Sequence, residues 1–293
     1  VRVIKRDIEV SSRSDTFRLY PFGDIHDGAA ACDLDSLRAL VKEIEADDNA
    51  YWLGMGDYCD YINRSDPRFN VSALAPWINM EHLGDLAKAQ SRHILALLKP
   101  IASKCLGLLE GNHESAVHKH YERDVYSEIV TGIKDAGGFP PETQLAFGYS
   151  GWLNLHFIRR SSRGNRMSSN IRIALHHGFV GGKLAGAKAL NMQRFLWNHE
   201  CDLAIFGHSH NTGIQAEQVE GLNVRTNKIE YSVRWGAYAG SFLKTNVDGV
   251  TTYSEVKGYF PLPVAGIVVH FAPFKGNDSA PNVANERLKI VTR

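Results

Sequence analysis

Five short apolar segments of this chain each run straight into a glycine-flanked cluster of Asp, Asn or His. Phe22 leads into Gly23-Asp24-Ile25-His26-Asp27-Gly28, and Leu53 into Gly54-Met55-Gly56-Asp57-Tyr58-Cys59-Asp60. Leu109 leads into Glu110-Gly111-Asn112-His113-Glu114, Leu175 into His176-His177-Gly178, and Phe206 into Gly207-His208-Ser209-His210. Short apolar runs bounded by turn residues read as buried strands. Sheets of the α/β kind gather ligands beyond the carboxyl ends of their strands. Glycine at those ends lets the backbone turn sharply and approach a ligand closely. The repeated pattern therefore points to an α/β fold with one site assembled from loops far apart in sequence.

Between these segments the spacing alternates. Leu34, Leu37, Leu40, Val41 and Ile44 predict a helix over 34–46, with Asp33 placed to cap it. Further helices are expected over 81–98, stopped by Pro100, over 121–136, ended by Gly137-Gly138, and over 183–200. Segments 1–10 and 17–22 read as two strands of a hairpin, and the chain beyond Ile214 reads as β. One domain over 1–275 is expected, with insertions near 64–77 and 159–172 and a polar, loosely attached tail over 276–293.

Composition narrows the setting. A net charge of +1 argues against a dedicated nucleic-acid coat. Cys32, Cys59, Cys105 and Cys201 lie far apart without a Cys-x-x-Cys pair, which reads as reduced thiols and a cytoplasmic location. No apolar run is long enough for a membrane span, and the start lacks a secretory core.

Hard oxygen ligands mixed with imidazoles, and no thiolate, suit Mn, Fe or Zn better than a structural zinc or an iron–sulfur cluster. The set exceeds what one ion needs and suits two ions sharing a bridge. Each motif alone also reads as a turn or a helix cap; the ordered set of five carries the case. In that order, Gly-Asp-Ile-His, Gly-Asp-Tyr-Cys-Asp, Gly-Asn-His-Glu, His-His-Gly and Gly-His-Ser-His resemble the calcineurin-like metallophosphoesterase superfamily, from about Gly23 to His210.

The resemblance implies a two-sheet β-sandwich flanked by helices, a four-layer αββα arrangement, with a dinuclear centre at its edge. It implies that Asp24, His26 and His210 hold one metal, that Asp57 bridges both, and that Asn112, His176 and His208 complete the second. His176 is preferred to His177 because the family's ligand is usually the first residue after the strand. His113 is then no ligand but a proton donor or phosphate stabiliser. Asp60 and Glu114 are expected to orient ligating histidines. Manganese is the first expectation for both ions, with iron, zinc or nickel as alternatives. The implied reaction is hydrolysis of phosphate mono- or diesters by a hydroxide shared between the ions. A phosphodiesterase on small or nucleotide-like esters is the first reading and a nuclease the alternative. A non-catalytic scaffold ranks last, because no ligand position is missing.

Tyr61-Ile62 stands where phosphoprotein phosphatases carry Arg-Gly, which argues against a Ser/Thr protein phosphatase. Substrate contacts are sought in Arg64, Arg68 and Phe69 of the first insertion, and in Arg160 and Arg163 of the second. Both segments also read as solvated surface. Gly240-Ser241 resembles a Gly-Ser turn near the active site of relatives.

Overall fold

Parallel pairing of the strands that carry the motifs sets the architecture. The computed structural model describes residues 1–160, 164–178, 184–256, 258, 260–275 and 287–293. Its strands are β1 (Arg2–Val10), β2 (Phe17–Phe22), β3 (Ala50–Gly54), β4 (Cys105–Leu109), β5 (Ala146–Gly148), β6 (Ser150–Arg160), β7 (Arg166–His176), β8 (Leu203–Phe206), β9 (Thr212–Asn223), β10 (Lys228–Ser241), β11 (Ala265–Phe271) and β12 (Leu288–Thr292). The helices that matter here are α1 (Leu34–Ala46), α2 (Leu86–Leu98), α3 (Asn112–Tyr121), α4 (Val125–Ala136) and α5 (Ala185–Asn198). One sheet runs β12-β11-β2-β3-β4-β5 and the other β1-β6-β7-β8-β10-β9, with β10 also pairing to β11 where the two meet.

Strands β3 and β4 are apolar on both faces, as strands covered from both sides must be. Leu53, Leu106 and Leu109 face the other sheet and meet Leu155, Phe157, Ile173 and Ile205 in the central core. Trp52 and Leu108 point outward, against Leu37 and Ile44 of α1, Ile94 of α2 and Ile129 of α4. On the other outer face, Met192 and Leu196 of α5 pack on Ala204 and Phe206. The result is the four-layer αββα sandwich with flanking helices.

Three aspartates start helices by accepting a backbone N–H: Asp33 from Ser36, Asp85 from Lys88 and Asp124 from Ser127. Capping by Asp85 explains why the α-helix expected over 81–98 begins at Leu86. Helix α3 begins inside a motif, at Asn112, so the segment expected as one helix from 121 is the end of α3 followed by α4.

Two expectations are overturned. Strands β1 and β2 form no hairpin: β1 pairs in parallel with β6, while β2 lies between β11 and β3. The Asp15 carboxylate accepts the N–H groups of Ser11 and Ser12, closing a turn that carries the chain from one sheet to the other. Ile4, Ile8, Phe17 and Leu19 then reach the inter-sheet core from opposite sides. The end of the tail is also anchored, because β12 (Leu288–Thr292) pairs antiparallel with β11 and buries Leu288; residues 276–286 lie outside the described residues.

Candidate metal centre

The carboxyl ends of β2, β3 and β4 lie side by side in one sheet, and those of β7 and β8 in the other. Beyond them the backbone stays bonded: Asp24 N–H donates to Gly56 O at 2.9 Å, and Ile25 N–H to Asp57 O at 2.9 Å. The His208 N–H donates to Asp24 Oδ2 at 2.7 Å and ties the two sheets together at the site. Asp24, His26, Asp57, His208 and His210 all take left-handed backbone angles, with φ between 46° and 62°. Such conformations cost energy in L-residues and persist where the surroundings over-determine them, commonly at functional sites. Gly56 is required here: at φ +91°, a Cβ would stand 2.6 Å from His177 Nδ1 and 2.7 Å from Gly111 N.

Ligand atoms of Asp24, His26 and His210 lie within 4.8 Å of one another, as do those of Asp57, His177 and His208. His26, Asp60 and His113 form a third such group. Asn112 Oδ1 is 3.1 Å from His177 Nε2. Asp24, Asp57 and His177 are buried, yet Asp24 Oδ1 and His26 Nδ1 have no hydrogen-bond partner among the described residues. Buried polar atoms are rarely left so. Hard oxygens and imidazole nitrogens converging on this space fit a divalent cation.

Charge is concentrated here. Burial opposes ionisation of Asp57, but His113 and His177 outweigh it and hold the carboxyl well below its usual range. Burial also disfavours charge on His177, yet Asp57 beside it raises that imidazole to about 9. Burial, reinforced by Asp57, pushes Asp24 well up and Glu114 up to about 7. His210 is pushed well down by burial and by His26. A cation held by His177 would take over the neutralising role of its proton, so binding would release that proton.

The adjacent histidines reverse the expected order. His177 is fully buried; its Nδ1–H donates to Met55 O at 2.7 Å, and Nε2 faces Asp57 Oδ2 at 3.3 Å. His176 turns outward, its ring beside Tyr149, Phe195 and Phe206 and its Nδ1 accepting from Gly178 N–H. Burial lowers its pKa to about 4. Strand parity is the physical reason: Ile171, Ile173 and Leu175 all face the inter-sheet core, so 177 continues their side and 176 shares that of Ala174.

His113 N–H donates to Asp57 Oδ1 at 2.9 Å, and its ring meets His26 edge-on at 4.7 Å. Its Nδ1–H donates to Asp60 O, which leaves Nε2 for other work. Asp60 also brings Oδ1 to 3.6 Å from His26 Nδ1. Among the described residues Glu114 makes no hydrogen bond to a histidine. Its carboxylate accepts the N–H groups of Asp57, Tyr58 and Gly111, each at 2.9 Å, and so holds the motif backbones in register.

The first insertion borders the site. Ala30 N–H donates to Ala73 O and Ala75 N–H to Gly28 O, both at 2.8 Å. Arg64 is exposed, Phe69 is half-buried and Arg68 is paired with Asp66. Arg160 lies elsewhere. The β6–β7 hairpin pairs Ser150 with His176 at the site end and Arg160 with Arg166 at the other. At roughly 3.3 Å per residue, β7 separates Arg160 from the site by roughly 30 Å. Arg163 lies outside the described residues.

Three contacts escaped sequence reasoning. Buried Asp27 accepts from His93 Nδ1 at 2.7 Å and from Trp77 Nε1 at 3.2 Å, and Trp77 stacks on His93 at 4.1 Å. This lock joins the first insertion and α2 to the loop carrying Asp24 and His26. Asp27 stood in plain view inside its motif, but nothing local marks His93. Ser241 Oγ–H donates to the Asp24 carbonyl at 2.9 Å, which gives the Gly240-Ser241 turn a place at the site.

An αββα sandwich with buried Asp and His, and half-buried Asn and His, gathered at its strand ends defines a metal-binding α/β protein. The model of the calcineurin-like phosphoesterase family matches residues 17–212, about two thirds of the chain, and the chain belongs to that family. Solved structures similar to it include Vps29 complexed with Zn²⁺ from Entamoeba histolytica, at 11% identity over 94% of this chain and 98% of that one, with TM-score 0.35. A predicted phosphoesterase from Streptococcus pneumoniae shows 9% identity over 95% and 99%, with TM-score 0.32. A metallophosphoesterase from Sphaerobacter thermophilus shows 11% identity over 94% and 88%, with TM-score 0.36. These superpositions are too loose to add to the site. No curated protein matches the chain. Among the described residues, no helix is long and apolar enough to cross a membrane.

Proposed function

We propose that this chain hydrolyses small phosphate esters, phosphodiesters first, with two divalent cations, manganese foremost, in the centre formed by its motifs. The observation that carries the reading is the convergence of Asp24, His26 and His210, and of Asp57, His177 and His208, each with ligand atoms within 4.8 Å of one another, with the buried Asp24 Oδ1 making no hydrogen bond among the described residues. Asp24, His26 and His210 would hold one ion, Asn112, His177 and His208 the other, and Asp57 would contribute to both. When bound, such a pair supplies Lewis acidity and a water acidic enough to ionise near neutral pH. The chain's own part is positioning. Glu114 fixes the loops around Asp57, and Met55 O sets the His177 tautomer so that Nε2 faces the centre. His113, anchored on Asp60 O, presents Nε2 to the ester and protonates the departing oxygen.

The nuclease reading comes second, because Arg160 and Arg166 of the arginine segment lie at the end of the β6–β7 hairpin away from the site. The test is a substrate panel in Mn²⁺: bis-p-nitrophenyl phosphate, p-nitrophenyl phosphate, cyclic nucleotides, and single- and double-stranded DNA. Chelator-sensitive hydrolysis of the small esters is expected, faster than cleavage of either DNA. Faster DNA cleavage refutes the substrate class, and no hydrolysis by metal-replete protein refutes the reading.

The register of the adjacent histidines gives a separate prediction. His177→Ala is expected to lose one ion and most turnover, whereas His176→Ala keeps both ions and most activity. Elemental analysis of the two variants decides; retained metal in His177→Ala with loss in His176→Ala contradicts the assignment.

A further inference from the structure

Tyr149 follows β5 and belongs to none of the five motifs. Its carbonyl accepts the His177 N–H at 3.0 Å, which fixes it to the loop that brings His177 to the centre. Its ring meets His177 and His176 edge-on, with centroids 5.2 and 5.6 Å away. The other tyrosines packed into this half of the molecule all use their hydroxyls: Tyr58 on Leu109 O, Tyr126 on Leu108 O, Tyr61 with Ser91 and Tyr238 on Lys188 O. Tyr149 differs. Among the described residues its hydroxyl makes no hydrogen bond, and the residue is exposed to solvent.

The surroundings say what the hydroxyl can do. A tyrosine hydroxyl can donate a hydrogen bond, and this one belongs to a ring in contact with His177. Tyr149 packs against His177 of the group completed by Asp57 and His208, whereas His113 packs against His26 of the group completed by Asp24 and His210. An ester held between the two halves has a fixed donor on each side.

We propose that the Tyr149 hydroxyl is a substrate-binding donor, hydrogen-bonding a non-bridging phosphoryl oxygen of the bound ester on the His177 side of the centre. This rests on the phosphoesterase reading. It adds a recognition element for the phosphoryl group itself, so Tyr149 serves esters with different leaving groups alike. A hydrogen bond from a neutral donor to an anion corresponds to roughly 10- to 100-fold in affinity.

Tyr149→Phe keeps the ring edge against both histidines and removes only the oxygen. Bound metal is measured by elemental analysis, and orthophosphate is titrated calorimetrically into the Mn²⁺-loaded protein. The expected result is unchanged metal content, orthophosphate affinity lowered by roughly 10- to 100-fold, and KM for p-nitrophenyl phosphate raised by a similar factor with kcat little changed. Unchanged phosphate affinity in the variant, with normal binding by the wild type, overturns the Tyr149 assignment and leaves the phosphoesterase reading standing. Loss of metal from Tyr149→Phe overturns it too, since the residue would then act through the His177 loop. Wild-type protein that holds its metal but neither binds orthophosphate nor hydrolyses esters removes both.

Discussion

Asp57→Ala is expected to release both ions and to reduce turnover by more than about 100-fold, beyond the usual effect of changing a group outside the ligand shell. Asp57 contacts both halves of the site through its side chain. Its Oδ1 accepts the His113 N–H, on the side of His26 and Asp60, and its Oδ2 faces His177, on the side of Asn112 and His208. It is also the anion that raises His177 to about 9 and sustains the charge on His113. Removing it takes away a shared ligand and leaves two imidazoles without their counter-charge. Asp57→Asn separates these effects, because it keeps the volume and one acceptor oxygen but not the charge. Elemental analysis of both variants after gel filtration is the measurement. One tightly held ion, equally present in wild type and Asp57→Ala, would refute the shared-ligand assignment.

The parts of this molecule that were legible in the sequence are those governed by local pattern. Helix α1 follows from its apolar spacing and Asp33, and β3 and β4 follow from apolar runs that only a doubly covered strand tolerates. The site was legible because each ligand cluster immediately follows such a strand. Long-range pairing was not. Nothing near Arg2 announces that its partner is Gly151, and nothing near Leu288 announces Phe271. The Arg160 error has the same origin: proximity in sequence to the His176 strand hid the fact that a strand has two ends. His177 is a different case. The alternation Ile171, Ile173, Leu175 already placed position 177 on the inner face, and the expectation followed motif order instead of parity. The Asp27–His93 contact had no signal, since a helix carries a histidine to a buried carboxylate only once three elements have docked.

His113→Ala is expected to keep its metal and yet lose roughly 10²–10⁴-fold in turnover, the usual worth of general acid–base catalysis. Metal retention follows from the geometry: the His113 contact to Asp57 Oδ1 is made by its backbone N–H, which alanine preserves. What alanine removes is an imidazole held by Asp60 O and made more basic by Asp57 and Asp60 against the opposing effect of burial. Such a ring holds a proton more readily than a free imidazole and can give it to a departing oxygen. The loss must then depend on the leaving group. An alkoxide leaves poorly without a proton, so an alkyl phosphodiester suffers the full factor. p-Nitrophenolate leaves well unaided, so its ester suffers much less. A ring that only neutralises phosphoryl charge gives the opposite signature, because that charge is the same in both substrates. Kinetics of the two esters on metal-replete His113→Ala separate the roles, and equal losses would rule out the proton donor.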